Sequence, residues 1–289
     1  MRGALNTIRE RLSGLDGSSV RRLAARGGLL VLHLAALALA VYFVAILVAV
    51  FAARVTYQYE IEWMEGGVFG HVLRILRGQP LYVQPSLDFI PFLYPPLYYA
   101  VSALVAKLSG LSLMSLRLVS IVASLGSFAV IAALVSRRSG SYVLAAVGVG
   151  LFAATFPLSG FWFDLARVDS LFVFLLLLGS FLLIEFDGMR SAVAAGAVFT
   201  LVYLTKQTGL ASVTILALWA VLANRRRGAA FAITAVVGIG VSTAVLISST
   251  QGWFYYYVFV VPFRHAVHHN WITLFWTGDV LGTVALLLV

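Results

Sequence analysis

The side chains of this sequence best suited to chemistry are carboxylates and cations that stand between long apolar runs. Glu62 and Glu65 occur in YQYEIEWMEGG (57–67), three residues apart, a spacing that puts two side chains on one face of a helix. Apolar residues alternate with arginines from Trp63 to Arg77, as in an amphipathic helix that lies in a membrane interface, and Gly78 then ends it. This helix is expected to hold carboxylates beside lipid head groups, unless the glutamates are solvated loop charges.

Cations at the ends of other apolar runs can bind an anion. Lys206 stands at a junction between two such runs, where a lysine is costly unless its ammonium reaches the interface or meets an anion. Arg167 and Asp169 open another run, and either contribute to a site or pair with each other. Arg117 either binds phosphate or anchors the end of a span.

Three histidines, His265, His268 and His269, precede the last apolar run. His265 and His269 have a spacing found among metal ligands, but a further ligand is missing from the pattern. We therefore assign no metal site, leave a divalent cation open as a cofactor, and consider His265 for sugar or acceptor binding. The chain has no cysteine, which excludes disulfides and thiolate chemistry.

Composition indicates an integral membrane protein. The chain is 62% hydrophobic and 11% charged, with a mean hydropathy of +1.00, whereas soluble domains carry roughly 25% charged residues. The net charge of +9 comes from short basic clusters between apolar runs, which is typical of cytoplasmic loops and argues against a nucleic-acid partner. The first run, about 28–53, is too long for a signal peptide, so residues 1–27 are predicted to be a cytoplasmic N-terminus.

Loop charge predicts which apolar runs cross the bilayer. If residues 91–110 crossed, the arginines at 137–138 and 225–227 would lie outside, against the positive-inside rule. We therefore expect this segment to lie in the interface or to re-enter, as Tyr94, Tyr98 and Tyr99 favour. The predicted spans are about 28–53, 118–136, 141–157, 169–186, 191–205, 208–223, 229–248 and 273–289.

This topology gives an all-α polytopic bundle of about eight spans with a large first external loop, about 54–116. The outer side receives seven of the eleven acidic residues: Glu60, Glu62, Glu65, Asp88, Asp164, Asp169 and Asp279. An acid-rich outer face is where we expect the chemistry. The last apolar run ends in VALLLV without a polar flank, from which we expect the chain to be part of something longer.

The order of several motifs resembles the GT-C membrane glycosyltransferases, and within them the bacterial protein mannosyltransferase-like family 39. An acid after the first span is followed by an amphipathic helix, a Gly-x-Pro-Leu-Tyr turn (78–82) and a Tyr-Pro-Pro-Leu-Tyr element (94–98). Further matching elements are SLRLVS (115–120), DLARVDSLFVF (164–174) and YLTKQTGL (203–210). The resemblance covers about residues 28–225 and implies a GT-C-like module over 28–289.

The resemblance implies an inverting transfer of a sugar from a polyprenyl-phosphate carrier to a hydroxyl of a glycan, lipid or protein acceptor. The reaction would take place on the outer face of the inner or plasma membrane. Glu65 aligns with the family's first-loop acid and is the expected general base, but Met64 stands where the family has aspartate, so Glu62 stays in reserve.

The resemblance also implies that cations meet the departing phosphate, which places Lys206, Arg167 and Arg117, with Asp169, at the site. Two other functions stay open. One is a transporter or flippase for a lipid-linked sugar. The other is a non-catalytic membrane subunit that keeps the fold.

Overall fold

A computed structural model describes residues 17–266 and 269–284, and every regular element in this part of the chain is helical. The helices are α1 Gly17–Arg54, α2 Met64–Leu76, α3 Leu97–Ser109, α4 Leu113–Ser139, α5 Tyr142–Ala154, α6 Val168–Glu185, α7 Met189–Thr205, α8 Gly209–Ala223, α9 Arg225–Ser249, α10 Trp253–Phe263 and α11 269–284. A π-helical turn, Tyr256–Val260, interrupts α10, and a second one, Phe275–Val280, interrupts α11. The predicted fold class is confirmed.

The long helices pack side by side in the order α1, α5, α4, α6, α7, α9 and α8, while α2 and α3 pack together and join this row at α4. Small residues let the backbones approach closely, as is common where lipid supplies no hydrophobic drive. A Cβ on Gly150 of α5 would lie 2.2 Å from the Cβ of Ala40 in α1. A Cβ on Gly228 of α9 would lie 2.2 Å from the backbone nitrogen of Val221 in α8. Larger side chains at either glycine would force these helices apart.

Four helices in the described part of the chain are long and apolar enough to cross a membrane: Gly27–Arg54, α4, α6 and α9. The predicted spans at 141–157, 191–205 and 208–223 correspond to the shorter apolar helices α5, α7 and α8, of 13, 17 and 15 residues. These fall below the ~20 residues that cover ~30 Å of hydrocarbon, so they need local thinning or help from neighbouring turns. The last predicted span, 273–289, lies partly outside the described residues, as do Asp279's side chain and most of the predicted N-terminal segment.

Charged side chains gather at the two opposite ends of the bundle along the helix axes. At one end, Arg138 Nε lies 2.6 Å from Glu185 Oε1, and Arg227 Nη1 lies 3.5 Å from Asp187 Oδ1. The arginines at 137–138 and at 227 therefore share an end, as the charge-based topology requires. Arg117 opens α4, and so lies at the other end of that helix.

The segment between α1 and α4 leaves and returns at the same end of the bundle. Arg117 Nη1 at the start of α4 donates 2.9 Å to the carbonyl oxygen of Arg54, the last residue of α1. The intervening helices α2 and α3 therefore do not carry the chain to the other end. The rings of Tyr98 and Tyr99 are fully buried against the rest of the protein, so they pack α3 rather than face lipid head groups. The interfacial position of residues 91–110 stays a prediction.

This geometry makes the membrane topology testable with a single cysteine, since the natural chain has none. A cysteine at Ser139, exposed at the end of α4, should be protected from an impermeant thiol reagent added to intact cells. A cysteine at Gln79, on the exposed turn after α2, should be labelled in the same cells. Labelling at Ser139 with protection at Gln79 would show that the orientation in the membrane is the reverse of the predicted one.

Candidate active site

A buried arginine–carboxylate pair ties the first loop to the bundle. Arg117 of α4 and Glu65 of α2 are both 0% exposed. Their bonds are bidentate, with Nε to Oε1 at 2.8 Å and Nη2 to Oε2 at 2.7 Å. Arg117 also donates to the carbonyl oxygens of Arg54, Tyr57 and Tyr59, so one guanidinium fixes the whole path of the loop.

Every side of the Glu65 carboxylate is occupied by donors from this chain. Beyond Arg117, it accepts the backbone N–H groups of Ile61 at 2.8 Å and Ala166 at 2.9 Å. Burial alone would raise the pKa of Glu65, but Arg117 and the two backbone donors outweigh burial and lower the pKa. A buried carboxylate with a lowered pKa and four donors is poorly placed to take a proton from a substrate.

The space expected beside Glu65 is also filled. Gly66 and Gly67 follow it, and small residues there would leave room for a substrate. A Cβ on Gly66 would instead lie 2.0 Å from Glu60 Oε1, and one on Gly67 would lie 1.9 Å from the ring of Phe92. The glycines accommodate other parts of this chain. The base role of Glu65 stays a prediction, and the geometry favours Glu62.

Four of the charged residues named from the sequence form a row at the Arg117 end of the bundle. Arg167 Nη1 lies 2.9 Å from Glu62 Oε2, and Arg167 Nε lies 3.0 Å from Asp169 Oδ2. Lys206 Nζ then lies 2.8 Å from Asp169 Oδ1. The row Glu62–Arg167–Asp169–Lys206 thus joins the first loop, the start of α6 and the end of α7.

Two members of this row have unused capacity for a substrate. The Glu62 side chain is 20% exposed, and its Oε2 binds Arg167 and the N–H of Met64. Its Oε1 receives no hydrogen bond from the described residues. Lys206 is 26% exposed and, among the described residues, hydrogen-bonds only Asp169, which leaves donors of its ammonium available to an anion.

A second buried acid, Asp164, lies close to the row. Its Oδ1 meets Arg54 Nη1 at 3.2 Å, while its Oδ2 is buried without a hydrogen-bond partner among the described residues. Burial raises the pKa of Asp164, which Arg54 opposes only in part. The sequence marked Asp164 as one of the outer acids and as the first residue of the element 164–174, and assigned it no role in the site.

A cavity of about 450 Å³ opens beside the row, between α4, α5, α6 and the loop that precedes α6. Its lining includes Ser124, Ser127, Phe152, Trp162, Asp169 and Val173. The guanidinium of Arg167 lies 3.9 Å from the centre of the Trp162 ring, so Trp162 forms part of the wall and also holds the arginine. The cavity therefore has a largely apolar body, and the charged residue of its lining is Asp169, whose carboxylate binds Arg167 and Lys206.

Of the three histidines, the structure describes the side chain of His265 alone, and this side chain makes no hydrogen bond to the row. His265 is exposed just beyond α10, while His268 lies outside the described residues and the side chain of His269 is not described. Within the described residues, no group of three His, Cys, Asp or Glu side chains is placed to hold a metal ion. Sugar binding by His265 stays a prediction.

Two further residues position the site without having been singled out for it. Gln207 follows Lys206, and its Nε2 donates to the carbonyl oxygens of Leu93 at 2.8 Å and Val258 at 3.2 Å. His71 is buried and its Nε2 accepts the N–H of Phe92 at 2.9 Å. Burial lowers the pKa of His71 to about 4, so the ring is neutral and able to accept. Together these contacts hold the segment that leads into α3 over the row.

The fold and the site define a polytopic helical membrane protein with a charged centre at one end of its bundle. The model of glycosyltransferase family 87 matches residues 92–288, more than half of the chain. The chain belongs to this family, which is of the GT-C type, and the coarser part of the resemblance is confirmed. Membership of family 39 receives no such support. Searches of curated proteins and of solved structures each found no match.

Proposed function

We propose that the protein transfers a sugar from a polyprenyl-phosphate carrier to an acceptor hydroxyl, with inversion, on the outer face of the membrane. The row Glu62–Arg167–Asp169–Lys206 is the observation that carries the proposal. It places a partly exposed carboxylate and a partly exposed ammonium at one end of a membrane bundle, joined through Arg167 and Asp169. The family membership supports a glycosyltransferase, and the row supplies an acid–base group and a phosphate-binding group.

The carrier fits the apolar body of the cavity together with the two cations that bind Asp169 at its edge. A lipid phosphate bound at this edge would accept hydrogen bonds from Lys206 and Arg167, and the start of the polyprenyl chain would lie along the apolar wall. The volume of about 450 Å³ suits a head group and a short length of chain, since ligand sites commonly measure ~300–1,000 Å³. The rest of the chain would run along the lipid-facing helices.

Glu62 then acts as the proton acceptor. Its carboxylate takes the proton of the acceptor hydroxyl as that oxygen forms a bond to the anomeric carbon of the sugar. The bond from this carbon to the phosphate oxygen breaks in the same displacement, which inverts the anomeric centre. The electron pair leaves with the lipid phosphate, and Lys206 stabilises the charge that develops there.

The positions of the charges favour transfer over transport. A transporter for lipid-linked sugars needs polar groups near the middle of the bilayer, commonly at broken helices. In the described residues the ion pairs lie at the two ends of the bundle along the helix axes. A direct test is to incubate membranes containing the protein with a panel of radiolabelled polyprenyl-phosphate sugars and to follow transfer to endogenous acceptors. Absence of transfer from every donor would overturn the proposal.

Replacing Lys206 by alanine should weaken binding of a polyprenyl-phosphate sugar by about 10–100-fold, the effect of removing a hydrogen bond to a charged group. The affinity is measured on the purified protein in detergent. Lys107 is the matched control because it is the only other lysine in the chain and is exposed on α3. An unchanged carrier affinity in Lys206→Ala would show that Lys206 does not bind the carrier phosphate and that its side chain only extends toward the membrane interface.

A further inference from the structure

A further concave surface lies at the same end of the bundle, and its lining includes none of the four residues of the charged row. Two adjoining cavities of about 430 and 350 Å³ separate the loop after α2 from the turn between α9 and α10. They share Gln84, Gln251 and Trp253. We call this surface the glutamine groove; its other lining includes Pro80, Tyr82, Pro85 and Tyr256.

The chemistry of the glutamine groove is that of a site for an uncharged, hydroxyl-rich ligand. Among the described residues, the lining includes no Asp, Glu, Lys or Arg, and the nearby Arg74 has its Nε engaged by the carbonyl oxygen of Pro80 at 2.9 Å. Each glutamine amide has both donors and acceptors, which matches hydroxyl groups that also donate and accept. The Trp253 and Tyr256 rings provide apolar faces with negative potential, against which the C–H face of a pyranose can lie.

The backbone at Gln251 is held in an unusual conformation to form this surface. Gln251 has φ +52°, in the left-handed region that non-glycine residues rarely adopt, and Gly252 follows with φ +87°. The N–H of Gly252 donates 2.9 Å to the carbonyl oxygen of Ile247, which closes the turn. Strain of this kind is concentrated at functional sites, and here it directs an exposed amide into the groove.

The floor of the glutamine groove is connected to the charged row. Tyr82 is buried at the groove, packs edge-on against Phe254 at 5.2 Å, and donates 2.7 Å from its hydroxyl to the carbonyl oxygen of Tyr94. The ring of Tyr94 in turn lies 5.8 Å from Lys206 Nζ. Gln207 binds α10 through Val258, so the groove and the row share one wall.

We propose that the glutamine groove binds an uncharged glycan, which is the sugar acceptor. Its role as the acceptor site rests on the proposed transfer function, whereas glycan binding itself does not. A glycan that lies across Gln84 and Trp253 would rest on the loop that the buried Tyr82 holds in place through its bond to Tyr94. Its terminal hydroxyl would then approach the row in which Glu62 and Lys206 lie.

Binding is tested without any donor, on the purified full chain in detergent, by saturation-transfer NMR. The probes are unbranched tri- to hexasaccharides of glucose, mannose and galactose. We expect at least one series to bind, and Gln84→Ala and Trp253→Leu each to weaken that binding by about tenfold, the effect of one lost hydrogen bond or ring contact. Gln58→Ala and Trp219→Leu are matched controls, since both residues are exposed and neither lines the groove.

The outcomes separate the two proposals. Failure of every oligosaccharide to bind, or equal binding by wild type and both groove variants, would overturn the glycan site. Gln84 is exposed on a loop, so Gln84→Ala retains the fold, and an unchanged thermal midpoint verifies this. If glycan binding depends on the groove but no polyprenyl-phosphate sugar is a donor, the transfer function fails and the glycan site stands. In a transfer assay Gln84→Ala should raise the KM for the acceptor and not the KM for the donor.

Discussion

Replacing Glu62 by glutamine should lower the turnover number by about 10²–10⁴, the usual contribution of a general base. Glutamine keeps the shape of the side chain and an oxygen that can still accept from Arg167 and from the N–H of Met64. It cannot take a proton at neutral pH. We therefore expect the affinity for the polyprenyl-phosphate sugar to stay within about twofold of wild type while transfer is lost, which single-turnover measurements with a bound donor would separate.

The choice of Glu62 follows from comparing the carboxylates at this end of the bundle. Glu65 is buried under Arg117, and Asp164 is buried beside Arg54. Both oxygens of Asp169 bind cations. Glu62 alone in this group of four combines partial exposure with an oxygen that accepts no hydrogen bond from the described residues.

A matched substitution on the same loop controls for a general loss of charge. Glu60 is exposed and lies two residues before Glu62, and it forms no ion pair with the described residues. Glu60→Gln should keep turnover near that of wild type. Full activity of Glu62→Gln would remove Glu62 from the chemistry, and loss of activity in Glu60→Gln alone would move the base to Glu60.

The sequence was sufficient for the fold class because each apolar run must become a helix in lipid, where backbone groups have no water to bond. The distribution of charge among the loops also placed the arginines of α4 and α9 at one end of the bundle, as the structure shows. The sequence was insufficient to predict the lengths of the helices. Residues 141–157 read as one apolar run, yet α5 ends at Ala154, and Thr155 donates back into its last turn at the carbonyl oxygen of Phe152. Hydropathy does not register such a turn.

The sequence identified charged residues that the structure brings together, but it did not predict how they pair. The spacing of Glu62 and Glu65 suggested one helical face, but α2 begins only at Met64, so Glu62 precedes the helix. The two carboxylates consequently diverge, Glu62 to Arg167 and Glu65 to Arg117. The partners lie 105 and 52 residues further along the chain, and no local pattern could have paired them.

The Glu65–Arg117 pair should carry a large share of the stability of the folded bundle. Replacing Arg117 by leucine leaves a buried carboxylate without its main partner, and such a loss costs about 3–5 kcal/mol. Arg138→Leu is the control, since Arg138 is 62% exposed in its pair with Glu185 and exposed pairs contribute about 0–1 kcal/mol. The free energy of unfolding is measured by denaturant titration of the purified protein in micelles. An equal effect of the two substitutions on the free energy of unfolding would show that the buried pair contributes no more to stability than the exposed pair.

The Glu65→Gln substitution then tests which of the two glutamates, Glu62 or Glu65, is the general base. Because the pKa of Glu65 is lowered from 4.5 in the folded protein, its charge stabilises the fold fully above that value, and this contribution is lost as the pH falls through the lowered pKa. The wild type should therefore lose stability in that acidic range, and Glu65→Gln should be less stable at neutral pH and lose less on acidification. Its turnover per folded molecule should stay within about tenfold of wild type, since it touches no substrate in the proposed mechanism. A Glu65→Gln variant with wild-type stability and turnover lowered by about 10²–10⁴ would instead make Glu65 the base, with Arg117 displaced from it during the reaction.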